Sequence, residues 1–170
     1  GYKSAITANA SMDIAAAKDI IAMYIDMENE LQNEGYKERI KKAEKLNNEL
    51  PDYQYDESGA IREWAMKEYQ ENNAHRHISH LYCAWPAYQT QHNNKLANAC
   101  RQAILNRNKE NSRKDDTASH GWIHKALVEA RLKNSEEVYN ILNMLVHSDI
   151  FYSTLFTDHN TNLSLIHISE

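Results

Sequence analysis

The sequence predicts an all-α fold built from antiparallel helix pairs. The chain has only four glycines and two prolines in 170 residues, so few positions interrupt a helix. Apolar residues recur at helical spacing in five segments. Helices that are apolar on a wide face alternate with helices that are apolar on a narrow one, which is typical of a double-layered helical toroid. The length suits a single domain with a real core.

The first helix is predicted over residues 12–33, where two neighbouring apolar stripes form a face wide enough for burial on more than one side. One stripe contains Ile14, Ala17, Ile21 and Tyr24. The other contains Ile20, Met23, Met27 and Leu31. Ser11 is predicted to cap this helix, and Gly35 is predicted to end it. A second helix follows over residues 36–48, with one narrow apolar stripe and a charged opposite face, and Pro51 closes it.

The middle of the chain is predicted to be less regular. Residues 53–64 indicate a short hairpin around the turn signal Ser58-Gly59. Residues 65–74 form a polar connection into a histidine-rich segment, which is expected to begin extended and to become a short helix near Ser79, with Pro86 closing it. A third long helix is predicted over residues 93–107.

The second half ends in a helical hairpin. Residues 106–117 are strongly charged and predict a surface loop. Helices are predicted over residues 119–132 and 135–147, with Ser135 as a cap, and their short link predicts antiparallel packing. Residues 151–162 predict a polar loop. The apolar, alternating residues 163–170 are expected to be a non-native tail, so the domain is placed at residues 1–162.

Composition excludes some classes of partner and leaves others open. The net charge of −5 gives no electrostatic reason to expect nucleic acid. No apolar run approaches a membrane span, so no membrane is expected. The two cysteines, Cys83 and Cys100, form no metal-binding spacing.

Residues 75–82, which read His-Arg-His-Ile-Ser-His-Leu-Tyr, hold the densest group of chemically versatile side chains. Closely spaced imidazoles suit zinc, but no aspartate accompanies them, so we expect no metal and no cofactor. Each histidine could instead satisfy backbone groups at a loop junction. Arg76 weakens that alternative for the whole set, because a guanidinium is costly to bury alone and suits oxygen-rich ligands. Recognition of sugar hydroxyls by His75, Arg76 and His77 is therefore favoured.

Two tryptophans extend this hypothesis. Glu63 and Trp64 form a pair common in sugar sites, where the ring stacks on a pyranose and the carboxylate accepts hydroxyl hydrogens. Trp122 opens a predicted helix and is a further candidate for binding sugar. Packing in the core is the alternative for both tryptophans.

Three segments together resemble the catalytic domain of glycoside hydrolase family 95, which comprises α-L-fucosidases and related α-L-galactosidases. They are residues 59–64, residues 75–82, and the helix opened by Gly121-Trp122 that runs to residues 130–132. The entry of residues 11–13 into a long helix is similar too. The resemblance covers about residues 5–162, and the histidine segment is its most specific part.

The resemblance implies an (α/α)6 barrel, a glycan substrate and an inverting mechanism, in which a carboxylic acid protonates the leaving oxygen while water attacks the opposite face. The family's acid, a glutamate, would precede Gly1, and its water-binding asparagines and aspartate also match no position here. The chain is thus expected to be an internal fragment that lacks these groups and is inactive alone. Arg76 and His77 map onto the sugar subsite, and the family implies a secreted or periplasmic protein.

The sequence departs from the family pattern at three places, which leave the exact sugar and aglycone open. Residues 83–85 replace a glycine-rich continuation, His120 replaces a small residue, and residues 124–126 lack an expected tryptophan. Two other classes remain as alternatives. One is a non-catalytic helical binding module, and the other is a metal-dependent hydrolase.

Overall fold

The computed structural model describes residues 8–110 and 119–147, and these residues are all-helical, as predicted. The elements are α1 (Ser11–Leu31), α2 (Tyr36–Glu49), a 3₁₀ helix (Ser79–Cys83), α3 (Asn94–Glu110), α4 (Ser119–Arg131) and α5 (Ser135–His147). Between helices, the described residues contain isolated antiparallel bridges rather than a sheet. No helix in these ranges is long and apolar enough to cross a membrane.

The described residues divide into two compact units. Unit 1 contains residues 8–71 and 79–103, and unit 2 contains residues 72–78, 104–110 and 119–147. In unit 1, α1 packs against α2 and against the 3₁₀ helix. In unit 2, α4 and α5 pack together across the short link predicted from the sequence.

The core of unit 1 lies at the start of α1, in the 3₁₀ segment and on one stripe of α3. Its largest fully buried side chains include Ile61, Leu81, Leu96, Cys83 and Cys100. The sulfurs of Cys83 and Cys100 are 3.6 Å apart and the two side chains are completely buried. The cysteines therefore act as small apolar residues that join the 3₁₀ helix to α3.

The residues predicted to cap and to end α1 are wrong. Ala10 precedes the helix, and Ser11 lies inside it with its hydroxyl donating to the carbonyl oxygen of Arg62 at 2.5 Å. A tertiary contact thus occupies the side chain that was expected to cap. At the other end Gln32 adopts the left-handed conformation, with φ 47°, three residues before Gly35. Gly35 instead precedes α2 with φ 76°.

The prediction that α1 is buried on more than one side is also wrong within the described residues. The second predicted stripe is largely in solvent, with exposed fractions of 65% for Ile20, 58% for Met23 and Met27, and 61% for Leu31. Since α1 packs on α2 and the 3₁₀ helix, the rest of its apolar surface has no covering element in these ranges.

The predicted hairpin is present as a single antiparallel β-bridge between Tyr55 and Ile61, without regular strands. Its turn is held by the Asp56 carboxylate, which accepts hydrogen bonds from the backbone nitrogens of Ser58 and Ala60, both at 2.9 Å. Gly59 supplies the required positive φ of 83°. The predicted short helix near Ser79 is confirmed as the 3₁₀ helix.

The helices of the second half match their predicted positions, with two corrections. Helix α3 continues to Glu110, into the segment predicted to be a loop, because residues 106–110 keep helical hydrogen bonding. Asn134 takes the capping role predicted for Ser135, since its side-chain oxygen accepts from the backbone nitrogen of Glu137 at 3.4 Å. The predictions for residues 111–117, 151–162 and 163–170 lie outside the described residues.

Candidate functional site

The start of the histidine segment, residues 75–77, belongs to unit 2 and is held in place by the last turns of α3. A guanidinium nitrogen of Arg107, Nη1, donates to the carbonyl oxygen of His75 at 2.8 Å. Nearby, the Asn73 amide donates to the Glu110 carboxylate at 3.4 Å. Within the segment, the His75 backbone nitrogen donates to the carbonyl oxygen of Asn72 at 3.0 Å, which closes a turn. The segment is therefore fixed to α3 before any ligand binds.

Arg107 is a positioning residue that the sequence analysis missed. Its side chain is only 4% exposed, although it carries a charge. A signal was present, because Arg107 continues the buried stripe of α3 at helical spacing from Leu96, Cys100 and Ala103. A charged residue on an otherwise apolar stripe indicates a specific polar partner, here the backbone of His75.

Three imidazole rings lie next to one another in this unit. The ring centroid of His77 is 5.0 Å from that of His75 and 5.2 Å from that of His120 in α4. The backbone nitrogen of His77 donates to Nδ1 of His75 at 3.1 Å. That hydrogen bond requires a lone pair on Nδ1, so the proton of a neutral His75 ring sits on Nε2, where it can donate to a ligand.

The electrostatics of the cluster are dominated by positive groups. Burial lowers the pKa of His77 below its ordinary value, and Arg76, His75, His120 and His124 lower it further by repulsion. Arg76 is half-buried, and within the described ranges its buried Nε atom has no hydrogen-bond partner. The cluster therefore favours a neutral His77 beside a permanent cation, both able to donate hydrogen bonds.

Trp122, the candidate from α4, also lies in unit 2. It packs against the buried cluster formed by Ala126, Ile141 and Leu145. The ammonium of Lys125 lies 5.2 Å from its ring centroid and also contacts the Glu137 carboxylate at 2.9 Å. Trp122 thus stabilises the α4–α5 pair, and its role in sugar binding stays a prediction.

Glu63 and Trp64 belong to unit 1, whereas the other candidate residues belong to unit 2. The carbonyl oxygen of Glu63 accepts from the backbone nitrogen of Ser11 at 2.9 Å, and Trp64 bridges to Ala10. The carboxylate of Glu71 binds both Arg62, at 3.2 Å, and the backbone nitrogen of Glu63, at 2.8 Å.

The Trp64 ring meets Tyr69 edge to face, with centroids 5.6 Å apart. Because the backbone around Glu63 is fixed from three directions, the position of the Glu63–Trp64 pair does not depend on a ligand.

Comparison with known proteins gives the family. The family model of the glycosyl hydrolase family 95 catalytic domain matches residues 1–164, almost the whole chain. This chain belongs to glycoside hydrolase family 95. It is also similar to alpha-L-fucosidase 2 of Arabidopsis thaliana, with 28% identity over 173 aligned positions. That alignment covers 94% of this chain and 20% of the relative, so the chain spans about a fifth of the relative's length.

In this family 95 chain, the histidine cluster is larger than the sequence analysis proposed. His120 was noted only as a departure from the family pattern, and His124 likewise, yet both act on His77. The two positions are four residues apart, so they share a face of α4. The four-residue spacing of His120 and His124 is visible in the sequence, but the approach of α4 to residues 75–77 depends on tertiary structure.

The described ranges contain no group of three or more histidine, cysteine or acidic side chains arranged to hold a metal ion.

Proposed function

We propose that this chain forms part of the catalytic domain of an inverting glycosidase that releases terminal α-L-fucosyl, or the related α-L-galactosyl, residues from glycans. One observation carries the proposal. Within a chain that the family model matches over residues 1–164, residues 75–77 gather with His120 into a fixed group of hydrogen-bond donors.

Arg76 and His77 are the residues to which we assign sugar binding. A guanidinium offers donors in a planar fork that suits vicinal hydroxyl oxygens, and a neutral imidazole can donate to one oxygen or accept from another. The lowered pKa of His77 keeps that ring neutral near pH 7. His75 and Trp122, which also belong to unit 2, are assigned supporting contacts to the sugar. The Glu63–Trp64 pair of unit 1 is assigned a sugar-binding role of its own.

The proton donor and the water-activating groups are assigned to other parts of a longer protein. An inverting glycosidase needs one carboxylic acid for the leaving oxygen and a second group for the attacking water. The chain spans about a fifth of its fucosidase relative, which leaves ample length for these groups. In this proposal the chain alone binds sugar weakly and catalyses no hydrolysis.

The exposed face of α1 supports a place within a larger helical barrel. A groove of about 360 Å³ runs between α1 and α2. It is lined mainly by apolar side chains, including Ile20, Ile21 and Leu46, together with Arg39 and Lys42. Exposed apolar surface of this kind marks an interface. We assign it to helices of the same (α/α)6 domain that lie outside this chain.

The test compares this chain with a version extended along its gene to the full domain. With 4-nitrophenyl α-L-fucoside, the extended domain should release nitrophenol, and the sugar should first appear as the β-anomer by proton NMR. The 170-residue chain alone should show no turnover. Turnover by the folded chain alone, or first release of the α-anomer by the extended domain, would contradict the proposal.

A further inference from the structure

The two cysteines of the chain face each other in the core of unit 1. Cys83 is the last residue of the 3₁₀ helix, and Cys100 lies in α3, 17 residues further along the chain. Their sulfur atoms are in contact at 3.6 Å, and both side chains are completely excluded from solvent. The sequence contains no other cysteine, so each thiol has the other as its one possible disulfide partner within the chain.

The backbone beside each cysteine is held by hydrogen bonds. The carbonyl oxygen of Cys83 accepts from the backbone nitrogen of Gln89 at 3.1 Å. Next to Cys100, the carbonyl oxygen of Ala99 accepts from the backbone nitrogen of Ile61 at 3.2 Å. A disulfide bond is about 2.05 Å long, so the sulfurs must move about 1.5 Å closer than their present 3.6 Å. Rotation of the two side chains is the motion that brings them together, since the backbone is fixed.

Two other roles of paired thiols do not suit this arrangement. A metal ion needs further ligands, and the described ranges contain no group of three or more histidine, cysteine or acidic side chains that could hold one. A nucleophile must reach its substrate as a thiolate. The hydrogen bond with Cys83, and then burial, raise the pKa of the Cys100 thiol, and the site is closed to solvent. In the folded chain the pair is therefore chemically quiet.

We propose that Cys83 and Cys100 are a covalent modification site, at which a small-molecule disulfide such as oxidised glutathione links them into an intramolecular disulfide as the chain folds. One cysteine thiolate attacks the oxidant and releases one glutathione, and the second cysteine attacks the resulting mixed disulfide and releases the other. The S–S bond of the oxidant breaks, and the S–S bond of the protein forms. The two cysteine protons pass through water to the two glutathione thiols.

The exchange belongs to the folding stage because the folded core excludes the oxidant from both sulfurs. The bond closes the loop between Cys83 and Cys100 and ties the 3₁₀ helix to α3. Since a disulfide restricts the unfolded chain, the fold favours the bond by the same factor by which the bond favours the fold. For a loop of this length that factor is about 100-fold. The inference does not depend on the proposed glycosidase function.

The experiment equilibrates the 170-residue chain with mixtures of reduced and oxidised glutathione, in native buffer and in concentrated urea. Equilibrium is approached from the reduced and from the oxidised chain, and free thiols are then alkylated and counted by mass. We expect the equilibrium constant for the intramolecular disulfide to be about 100-fold larger in native buffer than in urea. The thermal midpoint of the oxidised chain should exceed that of the reduced chain by about 5–10 °C.

Two variants serve as controls. Cys83→Ala and Cys100→Ala replace one buried small side chain with another. Each variant should form no intramolecular bond, and its thermal midpoint should not respond to the glutathione mixture. A chain that is helical by circular dichroism and whose equilibrium constant exceeds the value in urea by less than about tenfold would overturn the proposal. A disulfide that forms between two chains instead of within one would overturn it as well.

A second measurement uses the domain extended along its gene, so that the outcome does not depend on the shorter chain folding alone. The extended domain is refolded in the same glutathione mixture, alkylated and digested without reduction. The peptides that contain Cys83 and Cys100 should be recovered joined to each other. Their recovery from the folded domain as separate alkylated peptides would contradict the proposal.

Discussion

The helix pairs α1–α2 and α4–α5 have similar apolar patterns in the sequence, yet they use them differently. In α4–α5, Ala126, Ile141 and Leu145 form a buried cluster that Trp122 also covers. In α1–α2, Ala43 is the buried apolar residue of α2, and most large side chains of α1 beyond its first turns remain exposed. The α4–α5 pair is held by packing, whereas the α1–α2 pair depends strongly on a polar contact.

That polar contact joins Glu28 and Arg39. Two hydrogen bonds of 2.6 Å link the carboxylate to the guanidinium, and Arg39 also donates to the carbonyl oxygen of Glu34 at 2.8 Å. Hydrogen bonding from Arg39, and next from Tyr24, lowers the pKa of Glu28 to about 2. A bidentate pair fixes direction as well as distance, so it sets how α2 returns along α1.

The largest expected effect is the loss of packing in α4–α5. Ile141→Ala should lower the free energy of unfolding by about 2–4 kcal/mol, because Ile141 is only 2% exposed and its neighbours cannot fill the space. Met27→Ala in α1, where the side chain is 58% exposed, should change it by less than about 0.5 kcal/mol. Urea denaturation of both variants measures this difference. Equal losses of unfolding free energy in the two variants would contradict the comparison of the two helix pairs.

Breaking the ion pair should have the next largest effect, and it should depend on pH. Because the pKa of Glu28 is about 2 in the folded chain and 4.5 ordinarily, the pair stabilises fully above pH 4.5 and is lost as the pH falls toward 2. Arg39→Gln should lower the thermal midpoint near neutral pH and reduce this acid dependence. Lys41→Gln, which breaks an exposed pair with Glu38, is the control and should have little effect.

A smaller effect is expected from the histidine cluster. The folded-state pKa of His77 lies below its ordinary value, so the unfolded chain takes up this proton more readily. Its contribution to stability should be complete above about pH 6.5 and should decline as the pH falls toward the folded-state value. In the His77→Gln variant, the free energy of unfolding measured by denaturation at several pH values should depend less steeply on pH in this interval. An unchanged slope would mean that the pKa of His77 is not lowered in the folded chain.

The smallest change in stability is expected at the exposed face of α1, where association should change instead. Met23→Glu combined with Ile20→Lys removes apolar surface that is 58% and 65% exposed. The double variant should keep its free energy of unfolding within about 0.5 kcal/mol and should self-associate less in sedimentation velocity. If the wild-type chain is already monomeric at high concentration, the assignment of this face to an interface is wrong.

The comparison also shows which features could be predicted from sequence. Helical periodicity placed the five α-helices found in the described residues, because it depends on each segment alone. It could not tell which side of α1 is covered, since Met23 and Met27 have the same pattern whether or not a partner helix is present. Ser11 failed as a cap for a related reason, because the carbonyl of a distant residue, Arg62, competes for its hydroxyl.

The candidate site also combines residues that are neighbours in the sequence with residues that only tertiary structure brings together. His75, Arg76 and His77 are contiguous, so their grouping is visible in the sequence alone. His120 is brought to His77 by the packing of α4, and Arg107 reaches His75 from α3. Those two contacts depend on tertiary structure, although a charged residue on the buried stripe of α3 and two histidines on one face of α4 were visible in the sequence.

The central claim is that Arg76 binds the sugar in a family 95 domain whose reacting groups lie elsewhere. The most direct measurement is kcat/KM for 4-nitrophenyl α-L-fucoside in the extended domain, with and without Arg76→Gln. Loss of a charge-assisted hydrogen bond should lower kcat/KM by about 10- to 100-fold, while the thermal midpoint stays close to that of the unsubstituted domain. An unchanged kcat/KM in the folded variant would contradict the account.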